Sequence, residues 1–436
     1  MLRKIAIAFM LLGVHSHSLA MDLDRIEKPP ADWTGPVFVP NFNFPAALPT
    51  ETRPWEAISY EIEGDRYLRS VLSYVLEGQD LKTLKTQNNT VRQWFHVPWM
   101  GPGTSGREFI SGLTRERTSR KNDLGPGQTK CRQNWAVGFY NPVGGYALGQ
   151  MWSPVAQDKG EPNLSAVPFP VGTVVAKFLF SEATADEVPL LRGAPTIAAN
   201  INLDPNPNDE ECAAATQPRK PAELRLLQLD VAVRDPRANS TTGWIFGTFV
   251  YDGRLNGTDP WAKLRPAGLM WGNDPTLTPE LYAAGKLPMQ GVFFDSFGLG
   301  RTFGRSGRAN GPIDNTASAC LSCHMTAQWP NPAPLAPPGD APWAVASCWF
   351  RNLGPTAPFG AAPATGTPCG DGAAQLKSLD FSLQLPLALR NYYLAIGAQN
   401  GPQLFQNVVG DAQAVTIPME DRPLMFRGIL SQPVHR

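Results

Sequence analysis

The sequence predicts a mainly β protein with some α, built on an antiparallel sheet. Four strand-like runs crowd between residues 173 and 271, and no crossover helix fits between the last two. The first and third runs are rich in β-branched and aromatic residues, the second alternates, and the third ends in the Asp252-Gly253 turn signal. Gly and Pro are frequent, 40 and 43 of 436 residues, yet scattered without a repeat among 12 Trp and 21 Phe. Low-complexity disorder lacks aromatics on that scale, so the chain reads as folded and loop-rich.

The first twenty residues stand outside that fold. Arg3 and Lys4 precede an uncharged apolar run, Ile5 to Val14, and Ser18-Leu19-Ala20 puts small residues where a signal peptidase reads. This is the pattern of a secretory signal peptide cut after Ala20; a buried N-terminal helix is the rival reading. Removing it leaves 36 Lys+Arg against 38 Asp+Glu, too even a balance for nucleic-acid binding. No later segment holds eighteen consecutive apolar residues, so no membrane span and a soluble periplasmic location are expected.

Residues 21–165 form a Trp/Pro/Gly-rich N-terminal extension with no readable role. It holds a helix near Ser59 to Glu77 and a run of large side chains from Trp94 to Met100. The charges at Arg107-Glu108 and Arg115-Glu116-Arg117 suggest a solvated or ion-paired surface, with anion binding as the alternative. Residues 166–335 follow as the strand-rich domain. Its strands are Thr173 to Phe180, Leu224 to Arg234, Trp244 to Tyr251 and a possible fourth over Leu264 to Trp271. In the second, Leu227, Leu229, Val231 and Val233 are expected on one face and Gln228, Asp230 and Ala232 on the other. Residues 336–436 are a loop-rich C-terminal segment. There Ser378 to Ala395 reads as strand or interrupted helix, because Pro386 opposes one continuous helix.

The strongest chemical signal is Cys320-Leu321-Ser322-Cys323-His324. This CxxCH spacing lets two thiols add to the two vinyl groups on one edge of a porphyrin while the next residue reaches the iron. One covalent haem c is therefore expected, held by Cys320 and Cys323 with His324 as the proximal ligand. A zinc knuckle would need a second Cys/His pair at metal spacing, and Cys348 stands alone. The other four cysteines invite two disulfides, Cys348 with Cys369 and Cys131 with Cys212, or free thiols.

The ligand on the other face of the iron decides what a haem does. Beyond the leader the chain has three histidines, His96, His324 and His435. His96 is the distal alternative, against an ordinary packed histidine. Met289, Met325, Met419 and Met425 qualify by type without a spacing signal.

Four segments in order resemble the cytochrome P-460 and cytochrome c′-beta family. Phe169 to Lys177 is similar to its F-x-x-G-T-V-x-x-K segment, and Leu229 to Asp235 resembles its strand ending in V-K-D. Gly243-Trp244-Ile245-Phe246 and then Cys320 to His324 follow, so the likeness covers roughly residues 165–330. It implies an antiparallel β domain carrying a five-coordinate haem c, in proteins that oxidise hydroxylamine or bind nitric oxide or carbon monoxide. It also implies that Lys177 bonds to the porphyrin edge and that Asp230 serves as a distal proton acceptor. Without the resemblance, Lys177 reads as a solvent-facing strand lysine and Asp230 as a surface or ion-paired aspartate. Phe178 departs from the family's usual Glu, and the stretch Asp252 to Gly311 is an insertion.

The expectation is an exported monohaem protein whose open distal face takes a small nitrogen-containing ligand, or a substrate such as hydroxylamine on which it acts as an oxidoreductase, with a redox partner protein. A six-coordinate electron carrier and a structural protein in which haem acts as a sensor are the alternatives.

Overall fold

In the computed structural model the described residues are 27–101, 106–157, 159–202, 212, 218–294, 304–330, 333–338, 341–360, 369 and 376–395. The leader, Met419, Met425 and His435 lie outside them.

Eight strands form one antiparallel sheet: β1 (Thr114–Arg115), β2 (Asn134–Tyr140), β3 (Val174–Ser181), β4 (Thr196–Ile201), β5 (Lys220–Arg234), β6 (Trp244–Tyr251), β7 (Leu264–Met270) and β8 (Gly291–Phe293). The order is β1-β2-β3-β5-β6-β7-β8, with β4 beside the first part of β5. The fold is mainly antiparallel β with a few helices, as the strand runs predict.

The sheet crosses the expected boundary at residue 165. β2 pairs with β3 over seven residues, Asn134↔Ser181 to Tyr140↔Val175, so the extension supplies part of the same sheet. One face carries α1 (Gly64–Leu76), whose Tyr67, Leu68, Val71 and Val75 are buried against it with Phe178, Leu229 and Val231. The other face carries α2 (Pro142–Ala156), α4 (Cys320–His324) and α6 (Gln384–Ala395), with Trp152, Leu321 and Leu385 in its core. α3 (Pro279–Ala283) and α5 (Trp343–Ala346) lie in the connections.

Three details depart from the sequence reading. Leu227 does not share a face with Leu229: a bulge between Gln228 and Leu226 turns it into a separate cluster with Leu179 and Val250. Downstream of the bulge the alternation holds, Leu229, Val231 and Val233 in one core and Ala232 in the other. Pro386 is tolerated because it falls in the first turn of α6, where its missing N–H has no intrahelical acceptor to lose. Arg107, Glu108 and Arg115 are buried, not solvated. The Glu108 carboxylate accepts from the backbone N–H groups of Ile110, Ser111, Leu113 and Asn200 at 2.7–3.0 Å. Two disulfides close loops, Cys131–Cys212 and Cys348–Cys369, with Cα atoms 5.6 and 5.4 Å apart.

Candidate functional site

Strand alternation sends every second side chain of β2, β3, β5 and β6 to the face opposite α1. Register then aligns them in rows. Gly138 pairs with Lys177, Lys177 with Asp230, and Asp230 with Thr248, which makes one polar row across four strands. The next row is Tyr140, Val175, Ala232 and Phe246, apolar apart from one hydroxyl. Both rows face a cavity of about 170 Å³, measured as space open to the centre of a water molecule. A single buried water needs about 10–15 Å³ on that measure, so the cavity is built for something much larger.

α4 forms the opposing wall. Cys320, Cys323 and His324 all line this cavity, together with Lys177 and Asp230. The fold thus gathers five of the six site residues singled out in the sequence, from β3, β5 and a segment about 90 residues further on. His96 is not among the lining residues. It packs edge-on against Phe38 and Phe139, and Phe139 belongs to the core on the α1 face of the sheet. Its Nδ1 accepts from the Asn41 N–H at 3.0 Å. Met289 is exposed, and Met325 is buried with its sulfur accepting from Asn273 Nδ2.

Cys320 and Cys323 are free thiols. Burial pushes both up, Cys323 to about 12, so both are protonated. Burial holds the His324 ring down to about 4, so it is neutral. His324 Nδ1 lies 2.8 Å from the carbonyl oxygen of Phe381. A carbonyl can only accept, so Nδ1 carries the proton and Nε2 keeps its lone pair.

On the polar row, Lys177 Nζ is 2.9 Å from Glu116 Oε2. The lysine is therefore ion-paired inside the cavity, not pointing to solvent. Burial alone would lower it, but Glu116, Asp230 and Asp314 outweigh that and hold it above the ordinary lysine value. Glu116 is itself raised by burial, with Lys177 opposing. Asp230 accepts from Thr248 Oγ1 at 2.7 Å and from Gln228 Nε2 at 2.8 Å. The same Gln228 nitrogen lies 3.2 Å from Asp314 Oδ2. Burial and then repulsion from Asp314 push Asp230 up to about 7, with Lys177 opposing.

The donor set fits a covalently held haem. Two adjacent thiols offer the anchors, and a neutral imidazole with its second nitrogen fixed offers the axial ligand. Arg115 and Arg117 line the same cavity and suit the carboxylates of a porphyrin rim. A zinc knuckle needs four ligands, and among the described residues no group of three or more His, Cys, Asp and Glu is arranged to hold a metal ion.

Several lining residues carried no sequence signal. Asp314 comes from the connection before α4, and Asp380 and Phe381 from the one before α6. Met100 lines the cavity from the Trp94 to Met100 run, read only as large side chains.

Sheet and site together define a mainly antiparallel β protein with a thiol-imidazole pocket on one sheet face. No family model, curated protein or solved structure matches the chain.

Proposed function

We propose that this chain is an exported monohaem c-type protein of cytochrome P-460-like fold. Haem is attached through Cys320 and Cys323, and His324 is its axial ligand. One observation carries the reading: two free thiols and an imidazole with a committed Nδ1 line one large cavity. The two disulfides support an oxidising compartment, where c-type haem is attached.

Bound haem would supply redox chemistry or a site for a small ligand on its open face. The chain's own residues define what that ligand meets. The polar row offers an ammonium at Lys177, a carboxyl at Asp230 able to hold or take a proton near neutral pH, and a hydroxyl at Thr248. This suits a small nitrogen-containing molecule with exchangeable protons, such as hydroxylamine. In the P-460-like reading Lys177 would instead bond to the ring edge, its nitrogen replacing a ring C–H with release of three protons, and a two-electron oxidant such as a peroxide would have to take up the electrons.

A second reading rests on Met100, whose presence on the cavity wall makes a six-coordinate electron carrier the rival.

The purified protein is expected to weigh one haem more than its mature polypeptide. Cys320→Ala with Cys323→Ala should abolish that increment; a wild-type mass without haem ends the proposal. Absorption spectra with and without carbon monoxide separate the two coordination states. A reduced protein that binds carbon monoxide supports the open face. A low-spin spectrum indifferent to it, becoming responsive in Met100→Ala, supports the carrier.

A further inference from the structure

The hydrogen bond from His324 depends on an unusual piece of backbone. Asp380 and Phe381 both have positive φ, 49° and 65°, in consecutive positions. Non-glycine residues in this left-handed region are strained, and persist where surrounding contacts over-determine them. The pair turns the Phe381 carbonyl onto His324 Nδ1.

What over-determines it is one carboxylate. Asp380 is 1 % exposed. Its Oδ1 accepts from Trp244 Nε1 and its Oδ2 from the Phe169 N–H, each at 2.6 Å. Its own N–H donates to Ser378 Oγ at 3.1 Å. On either side, the Leu379 N–H donates to the Ala327 carbonyl, and Ser382 Oγ lies 2.7 Å from the Tyr140 hydroxyl. Trp244 starts β6 and Phe169 precedes β3, so Asp380 ties the turn to two parts of the sheet framework.

We propose that Asp380 is a positioning residue for the axial imidazole: its carboxylate locks the Asp380–Phe381 turn, which fixes the orientation of His324 and strengthens Nε2 as a donor. This rests on the reading that His324 binds haem iron. Both acceptor contacts matter. An asparagine keeps one accepting oxygen but turns an NH2 group towards a second donor, so it reproduces half of the clamp. An imidazole that donates firmly from Nδ1 is a stronger ligand and favours the oxidised metal.

The test uses the haem-loaded protein, with mass confirming one haem in each variant. The iron–histidine stretching frequency of the reduced protein is read by resonance Raman, and the midpoint potential by titration. Stretching frequency should fall and potential rise in the order wild type, Asp380→Asn, Asp380→Ala. Trp244→Phe, which removes one donor and keeps the fold's bulk, should shift both the same way by less. It also stands in if the Asp380 variants fail to fold. Frequencies and potentials equal to wild type in any folded, haem-loaded variant overturn the proposal. A wild-type protein without haem overturns instead the reading beneath it.

Discussion

Lys177 shows how the structure changes what a residue means. A strand lysine facing solvent would be worth little, since exposed ion pairs contribute about 0–1 kcal/mol. Here the lysine is bonded to Glu116, whose side chain is 13 % exposed, and faces Asp230 across the strand pair. Removing one member of a buried pair costs about 3–5 kcal/mol, less where solvent still reaches the pair. Lys177→Met is therefore expected to destabilise the protein by about 1–3 kcal/mol in urea titration. Adding Glu116→Gln should recover part of that loss, because the carboxylate bonded to the lost ammonium is then replaced by a neutral amide. Additive losses would show that the pair is not coupled. Lys177 and Asp230 stand out in the sequence only through the resemblance to P-460 segments; strand alternation alone places Asp230 on one face and assigns neither residue a role. Glu116 and Asp314 arrive from connections whose paths no local pattern specifies.

At the scale of elements, β3, β5, β6 and β7 were legible, whereas β1, β2, β4, β8 and α2 were not. β5 is readable from its alternation and β6 from an aromatic run that ends in the Asp252-Gly253 turn. β2 (Asn134–Tyr140) is buried at every position, so it lacks the alternation that marks a half-buried strand. α2 holds three glycines and two prolines in fifteen residues, a composition that reads as loop. One reason is proximity: a Cβ at Gly145 would collide with the Phe95 ring at Cδ2. The same device seats α1 on the opposite face, where a Cβ at Gly247 would come within reach of Leu68 Cδ2 and displace it. Gly247 lies between Phe246 and Thr248, which face the cavity. Gly247→Ala is thus expected to cost about 1–3 kcal/mol by overpacking. Combining it with Leu68→Ala should cost less than the two single losses summed. Denaturant midpoints of the three variants read this directly, and strict additivity would show that α1 does not press on β6 there.

Across the whole molecule, the two disulfides divide the task of holding this loop-rich chain together. Cys131–Cys212 spans 81 residues and ties the approach to β2 to the connection between β4 and β5. Cys348–Cys369 spans 21 residues and closes the segment that leads to Asp380 and α6. Chain entropy makes the longer loop worth more, about 4.5 kcal/mol against about 3.4, both as upper values. Replacing Cys131 and Cys212 by Ala should therefore lower the denaturation midpoint further than replacing Cys348 and Cys369. Function should rank them the other way. The longer disulfide joins segments that carry neither His324 nor its acceptor, whereas the shorter one anchors the approach to the turn that holds the Phe381 carbonyl against the imidazole. In haem-loaded protein, loss of Cys348–Cys369 should lower the iron–histidine frequency while loss of Cys131–Cys212 leaves it in place. An equal shift in both would mean that the site responds to overall stability and not to the local anchoring of its C-terminal wall.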